Sequence, residues 1–102
     1  MTVYVFDLDG TLCTITDGEY KKALPYIHRI QEVNRLYDEG HTIIIDTARG
    51  HTTNINWYLD TKQQLEEWGC KFHNLRVGQK PFADVYIDDK GINDKDFFNE
   101  RT

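Results

Sequence analysis

One stretch near the N-terminus constrains the fold of this chain more than any other. An apolar run over residues 3–6 leads directly into two carboxylates, Asp7 and Asp9, and then into a Gly-Thr pair. Runs rich in Val and aromatic residues are typical of a buried strand. Side chains two residues apart share one face, and Gly10 lets the chain turn, so both carboxylates can line one cavity. This pattern suits a cation, proton transfer or nucleophilic attack; on these residues alone, a solvated Asp turn at a strand end is an equal alternative.

The composition predicts one globular domain over residues 1–102. The net charge of −5, with no basic run, argues against nucleic acid as a partner. No apolar stretch is long enough to span a membrane and no signal peptide is present, so we expect no membrane partner and a cytoplasmic location. Cys13 and Cys70 lack a metal-type spacing, which predicts free thiols in a reducing compartment.

Apolar strands and helical segments alternate along the rest of the chain. Strands are predicted over residues 2–7, 42–47, 71–75 and 84–89, helices over 24–39 and 53–68, and a last helical turn around Phe97 and Phe98. Gly40 and Gly69 are placed as the stops of the two helices. The alternation predicts an α/β fold with a central parallel sheet and helices on both of its faces.

Polar residues follow three of the predicted strands. Parallel strands present their carboxyl ends at one edge of the sheet, where such folds bind ligands. We therefore expect one crevice, with Lys80 and Arg49 on adjoining loops, that collects Asp7, Asp9, Thr47, Asp88 and Asp89. Four carboxylates repel one another unless a cation lies among them, and hard oxygen ligands suit Mg²⁺. A carboxylate nucleophile beside Lys and Mg²⁺ suits phosphoryl transfer through an aspartyl-phosphate, with a second carboxylate to move protons.

These motifs, taken in order, resemble those of the haloacid dehalogenase superfamily. The residues that match its four motifs are Asp7-Leu8-Asp9-Gly10-Thr11, then Thr47, then Lys80 before Pro81, then Asp88-Asp89. Two stretches, 47–50 and 86–90, look most like small bacterial members near capsule and surface-polysaccharide biosynthesis. The resemblance implies a three-layer Rossmann-like fold, and the short gaps between the motifs imply that there is no cap domain.

The resemblance also implies roles for the individual residues. Asp7 would be the nucleophile, Asp9 the general acid and base, and Thr47 the hydrogen-bond donor to the phosphoryl oxygens. Lys80 would hold Asp7 and the phosphate together, and Ala48 and Arg49 would contact the substrate beside it. The metal set for Mg²⁺ would be Asp7, Asp9, Asp88 and Asp89.

The implied activity is hydrolysis of a small phosphomonoester, such as a sugar phosphate or a polysaccharide precursor. A member without a cap often covers its site with a neighbouring subunit, so a homo-oligomer is a further expectation. Two other classes of function remain as alternatives. A phospho-accepting signalling domain is disfavoured because its acids and Thr follow a different order, and a silent binding module is disfavoured because all the motifs are intact.

Single residues keep alternatives of their own. Arg49 either grips the substrate or forms a salt bridge or helix cap, with neither preferred. The four histidines share no ligand spacing, which argues against a zinc site: His28, His41, His51 and His73.

Overall fold

A computed structural model describes residues 1–100 of the chain. Its elements are β1 (Val3–Phe6), a 3₁₀ turn (Tyr20–Lys22), α1 (Ile27–Asp38), β2 (Thr42–Thr47), α2 (Tyr58–Glu67), β3 (Asn74–Val77) and α3 (Asp94–Phe97). The three strands are parallel and lie in the order β1-β2-β3. The predicted α/β fold with a parallel sheet is confirmed.

The two long helices end at glycines with left-handed backbone. Gly40 has a φ of 95° and Gly69 a φ of 69°. After each, the next N–H bonds the carbonyl five residues back, from His41 to Leu36 and from Cys70 to Leu65. This pattern closes the last helical turn and favours glycine, because a Cβ is strained at positive φ. The predicted helix stops are confirmed.

A single hydrophobic core lies between the helices and one face of the sheet. Ile43 and Ile45 of β2 are fully buried against Val33 of α1 and Leu65 of α2. The ring of Phe97 in α3 reaches the same face, where its centroid is 5.5 Å from that of Phe6 in β1. All three helices therefore cover the same side of the sheet.

No helix of residues 1–100 covers the opposite face of the sheet, so this part of the chain forms two layers where three were predicted. Val3 and Val5 point to this face and are more than half exposed. The strand order advances in one direction, and right-handed crossovers then place successive helices on one side. Helices on both faces would need a further strand beside β1 on the edge away from β2. The strand order would then reverse at β1, and the helix leading to that strand would lie on the other face.

The predicted fourth strand, residues 84–89, has no regular structure. Local hydrogen bonds compete with a sheet here, because Asp88 accepts the backbone N–H of Lys90 at 2.9 Å and the Tyr86 hydroxyl donates to the Pro81 carbonyl. Ile87 is 98% exposed. Within the described residues, β1 consequently pairs on one side only.

Three other boundaries differ from the predictions by three residues or more, and one segment agrees. Helix α1 begins at Ile27 instead of residue 24, because the Tyr26 N–H donates to the Leu12 carbonyl at 2.8 Å. Helix α2 begins at Tyr58 instead of residue 53, because Asn54 has a positive φ that no helix continues through. Strand β3 begins three residues late, since the Lys71 N–H donates to the Asn34 side chain at 2.8 Å. The turn around Phe97 is confirmed as α3. Among residues 1–100, no helix has the length and apolar character needed to cross a membrane.

Candidate active site

A cavity of about 470 Å³ opens at the carboxyl ends of β1 and β2. Six of the predicted site residues line it: Asp7, Asp9, Thr47, Ala48, Arg49 and Lys80. They arrive from three separate segments, namely the ends of β1 and β2 and the loop after β3. The predicted convergence at one sheet edge therefore holds for these six residues.

The turn after β1 aims the two acids into the cavity. Gly10 has a φ of 87°, and a Cβ there would lie 3.1 Å from the Ile15 side chain. The N–H groups of Thr11 and Leu12 both bond the Leu8 carbonyl, at 3.0 and 2.8 Å. Leu8 and Leu12 are fully buried in the hydrophobic core, and this packing holds the turn in place. The sequence prediction of a Gly-Thr turn at this point is confirmed.

Asp7 lies half-buried beside one cation. Burial raises the pKa of the Asp7 carboxyl, while the charge of Lys80 and the backbone N–H of Leu8 oppose this only in part. The Lys80 ammonium is 3.4 Å from Asp7 Oδ1 and 4.7 Å from the centroid of the Tyr86 ring. Asp7 is thus a carboxylate with one charged partner and open access to the cavity.

The loop after β3 is what brings Lys80 to Asp7. Gly78 has a φ of 80°, and its N–H donates to the Thr47 carbonyl at 3.0 Å. A Cβ on Gly78 would lie 3.3 Å from the Arg49 carbonyl, which leaves little room for another residue. This contact turns the chain back across the end of β2. Lys80 follows two residues later at the cavity wall.

Thr47 and Ala48 form the part of the wall contributed by β2. Thr47 is 1% exposed, and its hydroxyl oxygen accepts the Arg49 backbone N–H at 3.3 Å. A threonine hydroxyl that accepts one hydrogen bond can also donate one. The predicted role of Thr47 as a donor to phosphoryl oxygens stays a prediction that this placement supports.

Asp9 is held by Arg49 through both of its oxygens. Arg49 Nε lies 2.9 Å from Asp9 Oδ2, and Arg49 Nη2 lies 2.8 Å from Asp9 Oδ1. Arg49 is only 2% exposed. Parallel N–H bonds from a guanidinium to a carboxylate are among the stronger and more directional contacts in proteins. The structure therefore favours the salt-bridge alternative for Arg49 over a direct grip on substrate.

The Cys13 thiol lies beside this pair, at 3.5 Å from Asp9 Oδ1 and 3.8 Å from Arg49 Nη2. Burial, followed by the negative charge of Asp9, raises the pKa of Cys13 to about 12. A thiol with such a pKa is protonated near neutral pH and is a poor nucleophile.

Asp88 and Asp89 do not line the cavity. They lie in the irregular segment after Pro81, where the Lys90 N–H and a hydrogen bond with Asp89 hold the pKa of Asp88 below its usual value. Among residues 1–100, no three His, Cys, Asp or Glu side chains are arranged to hold a metal ion. The four carboxylates of the predicted Mg²⁺ set are therefore not arranged around one metal position in this structure. A requirement for Mg²⁺ stays a prediction from the resemblance.

Sequence reasoning missed the residues that fix Arg49. Thr61 and Gln64 of α2 accept from Arg49 Nη1 at 3.3 and 2.8 Å. The Tyr20 ring lies under the guanidinium, with 4.6 Å between the Arg49 Cζ and the ring centroid. One signal was available, because Thr61, Gln64 and buried Leu65 share a helix face by their spacing.

A crystal structure of a structural-genomics target protein from Vibrio cholerae is similar to this chain. The two share 26% sequence identity with a TM-score of 0.86, and the match covers 99% of this chain and 90% of that chain. No protein-family model and no curated protein matches the sequence. The similarity concerns the fold, so function has to be argued from the chemistry of the site.

Proposed function

We propose that this protein is a phosphatase that hydrolyses a small phosphomonoester through an aspartyl-phosphate on Asp7. One observation carries the proposal. Asp7 faces a cavity with the Lys80 ammonium 3.4 Å from its carboxylate and with Thr47 and Asp9 on the adjoining walls. A nucleophile, a cation for the phosphoryl group and a second carboxylate are the parts that this reaction requires.

The reaction takes place in two steps. A carboxylate oxygen of Asp7 attacks phosphorus, the bond from phosphorus to the leaving oxygen breaks, and the substrate alcohol is released. Water then attacks phosphorus in the aspartyl-phosphate, which returns Asp7 as a carboxylate and releases inorganic phosphate. Lys80 and the Thr47 hydroxyl stabilise the charge on the phosphoryl oxygens in both steps. Asp9, which lines the same cavity, is the group that exchanges protons.

The resemblance to the haloacid dehalogenase superfamily supports this proposal. We propose a member without a cap domain and with the Rossmann-like topology of that superfamily, located in the cytoplasm. A sugar phosphate or polysaccharide precursor is the proposed substrate, and a second copy of the chain is proposed to cover the site. Neither nucleic acid nor a membrane is expected as a partner. The need for Mg²⁺ stays a prediction from the resemblance, and neither step of the reaction depends on it.

The test is hydrolysis of a panel of phosphomonoesters, including an aryl phosphate, with and without Mg²⁺. We expect turnover by the wild type and none by Asp7→Asn, because the amide cannot form the acyl phosphate. Asp38→Asn is the matched control. Asp38 is the last residue of α1 and does not line the cavity, and it pairs with Lys71 on the surface at 2.8 Å. Stimulation by Mg²⁺ would support the metal prediction.

Three outcomes would contradict the proposal. Full activity in Asp7→Asn would remove Asp7 as the nucleophile. A stable beryllofluoride adduct on a wild type without turnover would favour the signalling alternative, and neither adduct nor turnover would favour a silent binding module.

A further inference from the structure

The cavity at the carboxyl ends of β1 and β2 is larger than a phosphoryl group requires. Its volume of about 470 Å³ leaves room for the organic part of a substrate as well. Several of its lining residues are exposed, among them Ile15, Asp17, Phe82 and Tyr86, and we call this exposed part of the lining the mouth. The proposed reaction steps use none of these four residues. The mouth is therefore the place for the leaving group of a phosphomonoester.

Positive charge is confined to the inner end of the cavity. Among the described residues that line it, Lys80 and Arg49 are the two with a positive charge. A guanidinium has five N–H donors, and all five of those on Arg49 are taken by protein groups. Lys80 lies 3.4 Å from Asp7, the residue proposed to attack phosphorus. A leaving group with a carboxylate or a second phosphate would thus find no free cation at the mouth.

The mouth does carry a negative charge, that of Asp17. Asp17 and Gly18 have φ values of 53° and 97°, and the Glu19 N–H donates to the Thr16 carbonyl at 3.2 Å. Positive φ at both central residues is typical of a type I′ turn, which favours Asp, Asn and Gly. Within residues 1–100, no hydrogen bond or ion pair engages the Asp17 side chain. This turn therefore holds a carboxylate without a partner at the mouth.

Three large apolar side chains accompany this charge. Ile15, Phe82 and Tyr86 are each more than half exposed although they all line the same cavity. The Tyr86 ring faces the Lys80 ammonium, whereas the Phe82 ring has no aromatic or cationic partner among the described residues. Single exposed apolar residues are ordinary, but a group of them around one cavity indicates a contact with a ligand. A flat group with an apolar face would cover them and exclude water from them.

We propose that the mouth selects the leaving group by shape and charge. It accepts a ring with an apolar face and a neutral or positively charged outer end, and it disfavours a negatively charged one. Phe82 and Asp17 are the specificity-determining residues, Phe82 by contact with the ring and Asp17 by its charge. This inference rests on the proposed phosphatase function and narrows its substrate class to monophosphates of neutral or amine-bearing ring alcohols, ahead of sugar acids and bisphosphates.

The first experiment compares three aryl phosphates on the wild type. They carry an aminomethyl, a hydroxymethyl or a carboxymethyl group opposite the phosphate, and the methylene keeps the acidities of the three parent phenols similar. We expect kcat/KM to decrease from the cationic to the neutral to the anionic ester, by about two- to fivefold at each step. The differences should shrink in about 1 M salt, which screens charges beyond about 3 Å.

The outcomes of this comparison separate the inference from the proposed function. Equal values for the three esters, or a preference for the anionic one, would overturn the inference and leave the proposed function intact. Turnover of other phosphomonoesters but of none of these three would do the same. No turnover of any phosphomonoester would defeat the proposed function itself.

Asp17→Asn tests the charge at the mouth. Asparagine accepts a positive φ as aspartate does, so the turn is kept. We expect the ratio of kcat/KM for the cationic ester to that for the anionic ester to fall to about half of the wild-type ratio or less. Glu19→Gln is the matched control, because Glu19 pairs with Lys22 at 3.2 Å and does not line the cavity. An unchanged ratio in Asp17→Asn, or an equal fall in Glu19→Gln, would contradict the assignment of Asp17.

Phe82→Ala tests the apolar contact. Phe82 is 72% exposed, so its removal should change the stability of the fold little. We expect the KM for the hydroxymethyl ester to rise about two- to tenfold relative to the inhibition constant of inorganic phosphate, which has no group that reaches the mouth. An equal rise in both constants would indicate a general change of the site. That result, or no rise in either constant, would contradict the assignment of Phe82.

Discussion

At the scale of single residues, Asp7 and Lys80 form a pair whose electrostatics can be measured. In the proposed reaction Asp7 must be ionised to attack phosphorus, so we expect activity above its pKa and a loss of activity as pH falls through it. Burial raises this pKa and Lys80 lowers it again in part. Removing the charge of Lys80 therefore moves the acidic limb of the pH–rate profile to higher pH.

We expect Lys80→Met to show this shift in kcat/KM, in addition to a lower rate at every pH from the lost contact with phosphate. The shift of the acidic limb is the informative result. A loss of substrate binding alone lowers kcat/KM by the same factor at every pH and does not move the limb. Lys80→Arg is the matched control, since it keeps the positive charge and with it the position of the limb. An acidic limb in Lys80→Met that stays at or below the wild-type pH would show that Lys80 does not face Asp7.

The residue scale also shows what the sequence could and could not predict about the site. Asp7, Asp9, Thr47 and Lys80 were predictable because each follows an apolar strand or its loop, and strand direction alone brings such positions together. The partner of Arg49 was not predictable. The spacing places Thr61 and Gln64 on one helix face, but it does not show that this face meets Arg49, and that long-range contact fixes the pairing with Asp9.

At the scale of elements, one buried arginine ties the C-terminal helix to the turn after β1. Arg29 of α1 is 8% exposed and donates to the Thr11 carbonyl at 2.9 Å. The same guanidinium pairs with Asp94 of α3 at 2.7 Å and with Glu100 at 2.6 Å. Because Thr11 belongs to the turn that carries Asp9, this cluster couples the end of the described chain to the site.

This cluster predicts a loss of stability in acid. Burial raises the pKa of Asp94, but the hydrogen bond and charge of Arg29 outweigh it, and the hydrogen bond with Arg29 also holds the pKa of Glu100 low. Carboxylates with lowered pKa stabilise the fold above their ordinary pKa of about 4, and this contribution is lost as pH falls through the lowered values. The free energy of unfolding should thus decrease below about pH 4.

Arg29→Met isolates the contribution of the cluster. We expect a loss of about 1–3 kcal/mol at pH 7, measured by urea unfolding, and a smaller further loss on acidification than in the wild type. Arg35→Met is the matched control, because Arg35 pairs with Glu32 and Glu39 on the exposed face of the same helix. Exposed pairs of this kind contribute little to stability, because both charges stay hydrated and are screened by salt. Equal losses in the two variants would contradict the structural role of Arg29.

At the scale of the whole molecule, prediction and structure differ at the edge of β1 that does not pair with β2, where no strand of residues 1–100 lies. Periodicity and glycine stops predicted the helices and the first strands, because local patterns define them. Residues 85–87 form an apolar run typical of a strand, but pairing is decided by long-range contacts and by the local hydrogen bonds that compete with them. Because residues 84–89 do not pair with β1, the described part of the chain leaves one edge of β1 and one face of the sheet uncovered.

A single pair of substitutions tests this arrangement. Ile87 is 98% exposed, so Ile87→Ala should change the free energy of unfolding by no more than about 0.5 kcal/mol. Ile45→Ala, the same change at a fully buried position of β2, should cost about 2–5 kcal/mol. Urea unfolding of both variants gives the comparison. A cost above about 1 kcal/mol for Ile87→Ala would mean that residues 84–89 pack against the rest of the chain. Within residues 1–100, β1 has one edge without a partner strand, and pairing of residues 84–89 there would carry Asp88 towards the carboxyl end of β1, where Asp7 lies.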